Sequence, residues 1–264
     1  MVDDDEDDLE QSMGFMFDAS RAKSIVVITP KVPDAAPIRL RLIKGNPGHV
    51  QSGQYLWPAA QFAATWLLTN CAALALDSSH RLRVVELGAG CGLAGLAMLQ
   101  LENVDTVVFT DYDYGSIELL NENVNEAKSQ PYAAGKTLAV ERLKWGSETL
   151  SSTLLSIIGG EGEMAAALLV IGTDLIYSKD VVQPLLQSVK LLLVQKQPGA
   201  ARFVLFSSFD ISDYDAEVSR VCGMLKIQVC QLEPLIPAAA GETDAENTRR
   251  SRVQLFSLCS SIVL

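Results

Sequence analysis

A strand that runs into a glycine-rich turn and then a helix, at Val84–Leu93, constrains the fold of this chain more than any other stretch. The turn carries glycines at alternate positions, Gly88, Gly90 and Gly92. Such glycines let the backbone turn sharply and approach a ligand closely, and the helix behind them offers free N–H groups. We therefore predict a nucleotide-like ligand at this turn, in preference to a turn that merely needs glycine.

Beyond the first eighty residues, apolar runs of strand length alternate with segments of helical periodicity. Strands are predicted at Arg83–Leu87, Thr106–Thr110, Leu138–Leu143, Ala167–Gly172, Phe203–Phe206 and Ile227–Leu232, and helices at Leu93–Gln100, Ser116–Lys128, Val181–Val194 and Asp213–Leu225. This alternation is typical of parallel β/α units covered on both faces. A last strand, Val253–Leu258, follows a polar loop without an intervening helix, so it should be antiparallel. The expected fold class is α/β, with a seven-stranded Rossmann-like sheet whose last strand is antiparallel.

The first eighty residues add a smaller N-terminal part to this sheet. Two β-rich runs, Ser24–Thr29 and Ile38–Ile43, predict a two-stranded ribbon, and Pro58–Asp77 has helical periodicity with proline in its first turn. Residues 1–20 begin with a run of acids and are predicted to be a disordered leader. Residues 21–264 are predicted to form a single domain, because no linker or internal repeat interrupts them.

The charge balance narrows the expected partners. Lysine and arginine number 21 against 32 for aspartate and glutamate, a formal net charge of −11. Seven of the acids lie in the first ten positions, so the body of the chain is close to neutral. Binding to a nucleic acid backbone needs a basic surface, so we expect no nucleic acid partner. No apolar stretch is long enough to span a membrane, and no signal peptide is apparent.

Cysteine and histidine usage points to an intracellular protein without a metal. The five cysteines have no metal-ligand spacing and lie in apolar runs, which predicts reduced thiols in the core of a cytoplasmic protein, or of a nuclear one. The two histidines, His49 and His80, cannot make a three-histidine metal site, and a Ser-His-Asp triad is improbable. We therefore expect no metal site. We also expect the protein to be a monomer.

Three residues favour S-adenosyl-L-methionine over a dinucleotide at the glycine turn. Glu86, two residues before the first glycine, can attract the cationic amino-acid end of that cofactor but would repel a pyrophosphate. Asp111 ends the next strand, where a carboxylate can bind both ribose hydroxyls, although NAD sites use the same acid. Trp145 follows the third strand, where its ring can stack on an adenine.

A dehydrogenase is the alternative, because residues 90–95 also fit the dinucleotide fingerprint. That activity would need a proton-relay group, and the chain has a Tyr-x-x-x-Lys match at Tyr132–Lys136. This match contains a glycine and falls in a predicted loop, so we interpret it as chance. The hydride-transfer hypothesis is weakened accordingly.

The predicted fourth strand ends in Thr173-Asp174-Leu175-Ile176-Tyr177. Ligands of open α/β sheets bind outside the carboxyl ends of the strands, so Asp174 and Tyr177 should face the group that is transferred. A helix N-cap at Asp174, with Tyr177 covering the sheet edge, is the structural alternative. The chain has no Asn-Pro-Pro-Tyr or Asp-Pro-Pro-Tyr run, which argues against an adenine amine as acceptor.

Together these motifs resemble the seven-strand protein-lysine methyltransferases of methyltransferase family 16, over roughly Val26 to Leu258. The motifs that carry the resemblance are Gly53-Gln54-Tyr55-Leu56-Trp57-Pro58-Ala59-Ala60, Glu86–Leu93, Thr110-Asp111, Asn121–Asn125, Leu143-Lys144-Trp145-Gly146 and Asp174-Leu175-Ile176-Tyr177. One departure follows the fifth strand, where Ser207-Ser208-Phe209-Asp210 stands in place of the basic residue that members often carry.

The resemblance implies an S-adenosyl-L-methionine-dependent enzyme that methylates a lysine of a protein, such as a translation factor or a chaperone. The cofactor-binding residues it implies, together with two neighbours at the strand ends, are Trp57, Glu86, Gly88, Gly90, Gly92, Asp111, Tyr112, Trp145 and Thr173. Asp174 and Tyr177 are the expected catalytic residues. A small-molecule or protein-histidine methyltransferase and a non-catalytic cofactor-binding adaptor stay open as alternatives.

Overall fold

The computed structural model describes residues 23–43, 52–74, 76, 81–159, 166–197, 199–232 and 251–258. The predicted acidic leader, both histidines and Cys259 lie outside these residues. Within them, the first two strands, β1 (Lys23–Ile28) and β2 (Ile38–Ile43), pair antiparallel as the predicted ribbon. The division of the chain into a leader and one domain stays a prediction.

Seven further strands form one mixed sheet in the described part of the chain. They are β3 (Arg81–Leu87), β4 (Val104–Asp111), β5 (Thr137–Arg142), β6 (Ala166–Thr173), β7 (Ala201–Ser207), β8 (Ile227–Leu232) and β9 (Arg252–Leu258). Their order is β5-β4-β3-β6-β7-β9-β8, and β9 is antiparallel to both of its neighbours. The predicted fold class is confirmed. The strand order reverses between β3 and β6, so the carboxyl ends of these strands border the expected ligand crevice.

Among the residues that the structure describes, six α-helices cover the two faces of this sheet. They are α1 (Pro58–Asn70), α2 (Leu93–Met98), α3 (Tyr114–Ala127), α4 (Ser152–Ile158), α5 (Val182–Leu193) and α6 (Asp215–Leu225). Apolar residues of α1, α2, α3 and the ribbon form one buried cluster, and those of α4, α5 and α6 form the other. Neighbouring β3 residues belong to different clusters, Val84 to the first and Val85 to the second. This alternation is expected for a strand buried on both faces.

One predicted helix ends earlier than expected, and one helix was missed. Helix α1 ends at Asn70 instead of Asp77, and Cys71–Leu74 continues as a 3-10 turn with Leu74 fully buried. Both helix types bring apolar residues to one face, so the pattern did not reveal the change. Helix α4 was not predicted at all. Its two short turns begin at the Ser151 cap, whose Oγ accepts a hydrogen bond from Leu154 N (3.1 Å).

The cysteine prediction also needs correction. Cys91 and Cys222 are buried and Cys71 is half-buried, in agreement with core thiols. Cys230 is exposed on β8, close to the edge of the sheet. Strand β8 is the outermost strand of the sheet and has a neighbouring strand on one side only, so an apolar sequence context there does not ensure burial.

The ribbon is attached to the sheet through α3. The side chain of Asn123 accepts from Arg41 N through Oδ1 (2.7 Å) and donates to Arg41 O through Nδ2 (3.2 Å). The same Nδ2 donates to the carbonyl of Cys91 in the glycine turn (3.0 Å). Lys23, Arg39 and Arg41 add ion pairs to acids of α3. Asn123 thus ties the ribbon to the turn where a ligand is expected.

Candidate active site

The glycine turn between β3 and α2 has a backbone that other residues adopt at a cost. Gly88, Gly90 and Gly92 all have positive φ angles, 54°, 55° and 84°. A Cβ built on Gly90 would lie 2.5 Å from the carbonyl oxygen of Gly53, a distance that no real contact allows. The segment around Gly53 therefore packs directly on the turn. Glycine is required here both by φ and by this close approach.

Asp111, at the carboxyl end of β4, is hydrogen-bonded to the glycine turn. Its Oδ2 accepts from Gly90 N (2.9 Å), and its Oδ1 accepts from Tyr112 N (2.7 Å) and Asp113 N (3.1 Å). Burial raises the pKa of Asp111 above its usual range, against the opposing effect of these three N–H donors. The structure therefore brings the predicted ribose acid and the predicted glycine turn into direct contact. The binding role itself stays a prediction.

Glu86 lies deeper than the sequence suggested. Its side chain is 1% exposed, and its Oε2 accepts from Gly95 N in the first turn of α2 (2.9 Å). Burial raises the pKa of Glu86 to about 8. The other oxygen, Oε1, has no hydrogen-bond partner among the described residues. The carboxyl group thus caps α2 and retains one free acceptor beneath the turn.

Trp145 contacts the same turn, and Trp57 and Thr173 lie at the ends of α1 and β6. Trp145 packs against the turn, since a Cβ built on Gly88 would lie 3.0 Å from Trp145 Cζ2. Trp57 occupies the N-cap position of α1 and is 37% exposed. Thr173 is the last residue of β6 and is buried. An aromatic ring and a strand end therefore lie where the adenine side of a nucleotide was expected.

Tyr112 faces the outer edge of the sheet. The guanidinium of Arg142 lies 4.4 Å from the Tyr112 ring centroid and 4.1 Å from that of Tyr114. The ammonium of Lys144 lies 5.4 Å from the Tyr112 ring. Arg142 also donates from Nε to the Tyr112 carbonyl (3.0 Å). Cation–π contacts of this kind hold the Tyr112 ring at the rim of the site.

Asp174 joins two elements that are distant in sequence. Its Oδ1 accepts from Ser208 N (2.7 Å), and its Oδ2 accepts from Ser208 Oγ (2.8 Å) and from Ala59 N in α1 (3.2 Å). Its φ of 55° is unusual for a non-glycine residue, and its side chain is 8% exposed. Burial raises its pKa, partly opposed by these donors. A carboxylate accepts about four hydrogen bonds, so Oδ1 retains capacity for one further donor.

Tyr177 is the most exposed of the predicted site residues, at 64%. Its carbonyl accepts from the hydroxyl of Tyr214, at the start of α6 (3.4 Å). Partial burial raises the pKa of Tyr177, and the negative charge of Asp111 raises it further. The structure therefore places Tyr177 at an exposed position, where its backbone contacts the residue before α6.

Sequence analysis missed three residues of this region. Ser208 donates twice to Asp174, although the sequence marked it only as a departure from the family pattern. Gln54 and Ser116 are buried beside the turn, and neither Gln54 Nε2, Gln54 Oε1 nor Ser116 Oγ has a hydrogen-bond partner in the described part of the chain. Gln54 stands inside the quoted Gly53–Ala60 motif, but its burial could not be inferred from a polar side chain.

The competing dehydrogenase motif lies away from the site. Lys136 is adjacent to the amino end of β5, and its Nζ donates to the carbonyl of Leu101 (2.6 Å).

No group of three or more metal-binding side chains occurs within the described ranges. In the same ranges, none of the helices is both long and apolar enough to cross a bilayer.

The fold and the site define a class I methyltransferase-like protein. A family model described as lysine methyltransferase matches residues 39–208, more than half of the chain. The chain therefore belongs to the lysine methyltransferase family. The matched range includes every residue predicted for the site, from Trp57 to Tyr177.

Two known proteins are similar to this chain, one in sequence and one in fold. The protein-lysine N-methyltransferase EEF2KMT of mouse (Mus musculus) is 29% identical over 150 residues, which cover 54% of this chain and 41% of the mouse protein. The match therefore spans less than half the length of that relative. The N-terminal domain of human METTL16, solved in complex with SAH, shares the fold with a TM-score of 0.50 at 13% identity, over 78% of this chain and 73% of that chain.

Proposed function

We propose that this protein is an S-adenosyl-L-methionine-dependent methyltransferase that methylates the ε-amine of a lysine in a protein substrate and releases S-adenosyl-L-homocysteine. The observation that carries the proposal is the lysine methyltransferase match over residues 39–208, which contains the whole of the candidate site. The mouse relative, a protein-lysine N-methyltransferase, supports the same acceptor class.

The residues around the glycine turn fit the cofactor. The turn has the positive φ angles that glycine allows, and it lies beside an acid and an indole ring, those of Asp111 and Trp145. The buried Glu86 Oε1 has no partner within the described residues and can accept from an ammonium. When bound, the cofactor supplies an electrophilic methyl group on its sulfonium. Trp57, Gly88, Gly92, Tyr112 and Thr173 complete the proposed binding set.

On the acceptor side, the task of the protein is to position a neutral amine. A free lysine has a pKa near 10.4, so only about a thousandth of it is neutral near pH 7.4. A largely buried position such as that of Asp174 disfavours a charged amine, and the remaining acceptor capacity of Oδ1 can orient its N–H. Tyr177, exposed at the rim, lines the entrance. Orientation of this kind lowers the barrier of an in-line displacement.

The substrate, the compartment and the oligomeric state are further parts of the proposal. We propose a protein substrate from the translation or chaperone machinery, an enzyme located in the cytoplasm, and action as a monomer. The nature of the acceptor distinguishes this proposal from the alternatives: a histidine or small-molecule methyltransferase labels another group, and an adaptor labels nothing.

The test uses the full chain, methyl-labelled S-adenosyl-L-methionine and an extract of cells that lack their own copy of the protein. We expect the label on a protein band and, by mass spectrometry of its peptides, on a lysine side chain. Label confined to histidine or to small molecules would replace the lysine proposal. Calorimetry in which NAD binds more tightly than S-adenosyl-L-homocysteine would contradict the methyltransferase proposal itself.

A further inference from the structure

Gln54 is a buried polar side chain that the fold does not explain. It ends the 3-10 turn Ser52–Gln54, and its side chain is 1% exposed. Neither Nε2 nor Oε1 has a hydrogen-bond partner among the residues that the structure describes. Buried amides are nearly always hydrogen-bonded, because an unpaired one loses its bonds to water without replacement. The fold as described therefore leaves both ends of this amide unsatisfied.

The position of the Gln54 segment identifies the ligand region. At its start, a Cβ on Gly53 would lie 3.6 Å from Asp111 Oδ2, and the Gly53 carbonyl packs against Gly90. Further along, the Tyr55 carbonyl accepts from Cys91 Sγ (3.9 Å), and Ala59 N donates to Asp174. The backbone of this segment thus runs from the predicted ribose acid, near Gly53, to the predicted acceptor acid, at Ala59, and Gln54 directly follows Gly53 in it.

The chemistry of the amide selects one part of the cofactor. Asp111 and Trp145 are assigned to ribose and adenine, which leaves the α-amino carboxylate. That group carries an acceptor and a donor, and a carboxamide offers the complementary donor and acceptor on one plane. Glu86 Oε1 is the proposed acceptor for the ammonium, which leaves the carboxylate without an assigned donor. Gln54 Nε2 supplies a neutral N–H donor for that carboxylate.

On the basis of the proposed function, we propose that Gln54 binds the α-amino carboxylate end of S-adenosyl-L-methionine and of its product, with Nε2 donating to the carboxylate and Oε1 accepting from the ammonium. Gln54 is then a cofactor-selective residue, which distinguishes the complete cofactor from a nucleoside with the same adenine and ribose.

The test compares two ligands in wild type and in Gln54→Leu, a substitution of similar size. S-adenosyl-L-homocysteine carries the amino-acid end, whereas methylthioadenosine has the same nucleoside and lacks it. Hydrogen bonds to charged groups are worth enough to shift a Kd by roughly ten- to hundredfold. We expect calorimetry to show a loss of this size for S-adenosyl-L-homocysteine. The affinity for methylthioadenosine should change by less than about threefold.

Gln254→Leu is the matched control. Gln254 is also a buried glutamine with an unpartnered Oε1, but it lies on β9, away from the glycine turn. Its substitution should leave both affinities unchanged. Unchanged binding of S-adenosyl-L-homocysteine to a folded Gln54→Leu protein, or equal losses for both ligands, would overturn the inference. Failure of the wild-type protein to bind either ligand would instead contradict the proposed function.

Discussion

The two halves of the candidate site are built by contacts of different range. At the glycine turn, Glu86 pairs with an amide nine residues away, and Asp111 pairs with one 21 residues away. On the acceptor side, Asp174 pairs with Ser208, 34 residues away, and with Ala59, 115 residues away. The two acids of the first half therefore pair within one βαβ unit, whereas the acid of the second half depends on how α1 and the end of β7 meet.

This difference has a functional consequence. The elements β3, α2 and β4, with the turn between the first two, contribute the glycines and both acids of the cofactor side. The acceptor acid is placed only when Ala59 and Ser208 both reach it. Substitutions at the turn should therefore mainly lower the affinity for the cofactor, and substitutions around Asp174 should mainly lower the rate of methyl transfer.

The largest effect is expected for Asp174→Asn. Its amide nitrogen would face a donor, either that of Ala59 or that of Ser208, and the charge that orients the amine would be lost. Methyl transfer to protein in the labelled-extract assay should fall at least about a hundredfold. Near-normal labelling would remove this residue from the mechanism and favour the alternative acceptors.

Ser208→Ala is the control for this substitution. It removes the hydroxyl donor and leaves the carboxylate with both backbone donors, those of Ser208 and Ala59. We expect transfer to stay within about tenfold of wild type, since one hydrogen bond is worth roughly 1 kcal/mol. A loss as large as that of Asp174→Asn would mean that the hydroxyl itself is essential.

A second large effect is expected at the turn, for Gly90→Ala. The new Cβ meets the Gly53 carbonyl at 2.5 Å, and φ is 55°, so both overpacking and backbone strain oppose it. The free energy of unfolding should fall by roughly 2–4 kcal/mol. Binding of S-adenosyl-L-homocysteine should weaken with it.

Gly135→Ala is the control for Gly90→Ala, because it measures the cost in stability of backbone strain without a steric contact. Gly135 also has a positive φ, 73°, but a Cβ there has nothing within 4 Å. Its cost should be about 1 kcal/mol, with ligand binding intact. Denaturant unfolding of the two variants measures the difference, and equal losses of stability would show that the Gly53 contact is not restrictive.

The sequence predicted more of the glycine-turn half of the site than of the acceptor half, because the contacts of the acceptor half join residues that are further apart in sequence. Strand alternation and the three glycines predicted β3, β4 and the turn, because period and glycine spacing are local signals. The identities of Asp174 and Tyr177 were available from a short motif, but the partners of Asp174 were not, since nothing local connects them to residue 59. The end of α1, helix α4 and the exposure of Cys230 were missed because apolar spacing does not separate short helix types or identify an edge strand.

A further effect at the turn is a pH dependence of stability through Glu86. Its pKa rises from 4.5 to about 8 on folding, so the folded state favours the protonated form. This stabilisation is complete below the unfolded pKa and is lost as the pH rises through about 8. Glu86→Gln cannot ionise, so the wild type should lose stability relative to it between about pH 5 and 8, by at most about 1.4 kcal/mol per pH unit.

Urea unfolding of the ligand-free proteins across this range tests the Glu86 prediction. A difference between the two unfolding free energies that widens with pH is the expected result. Parallel curves would mean that Glu86 is already ionised in the folded protein, and its predicted attraction for the ammonium would then need no proton release.

The smallest effect on the acceptor side is expected for Tyr177→Phe. The hydrogen bond from Tyr214 goes to the Tyr177 carbonyl, so the backbone contact survives the substitution. The hydroxyl of an exposed ring is lost, and transfer should fall by less than about tenfold. Kinetics of the labelled-extract reaction provide the measurement. A loss equal to that of Asp174→Asn would make the hydroxyl a proton-transfer group rather than part of the channel wall.

The most direct test of the division between the two halves is one set of calorimetric titrations with S-adenosyl-L-homocysteine. Asp111→Ala should bind it roughly ten- to a hundredfold more weakly than wild type, because a charge-assisted bond to the ribose is lost, while circular dichroism shows an intact fold. Asp174→Asn should bind it within about threefold of wild type. Equal affinities in the two variants, or a greater loss in Asp174→Asn, would contradict the assignment of the cofactor to the glycine turn and of the acceptor to Asp174.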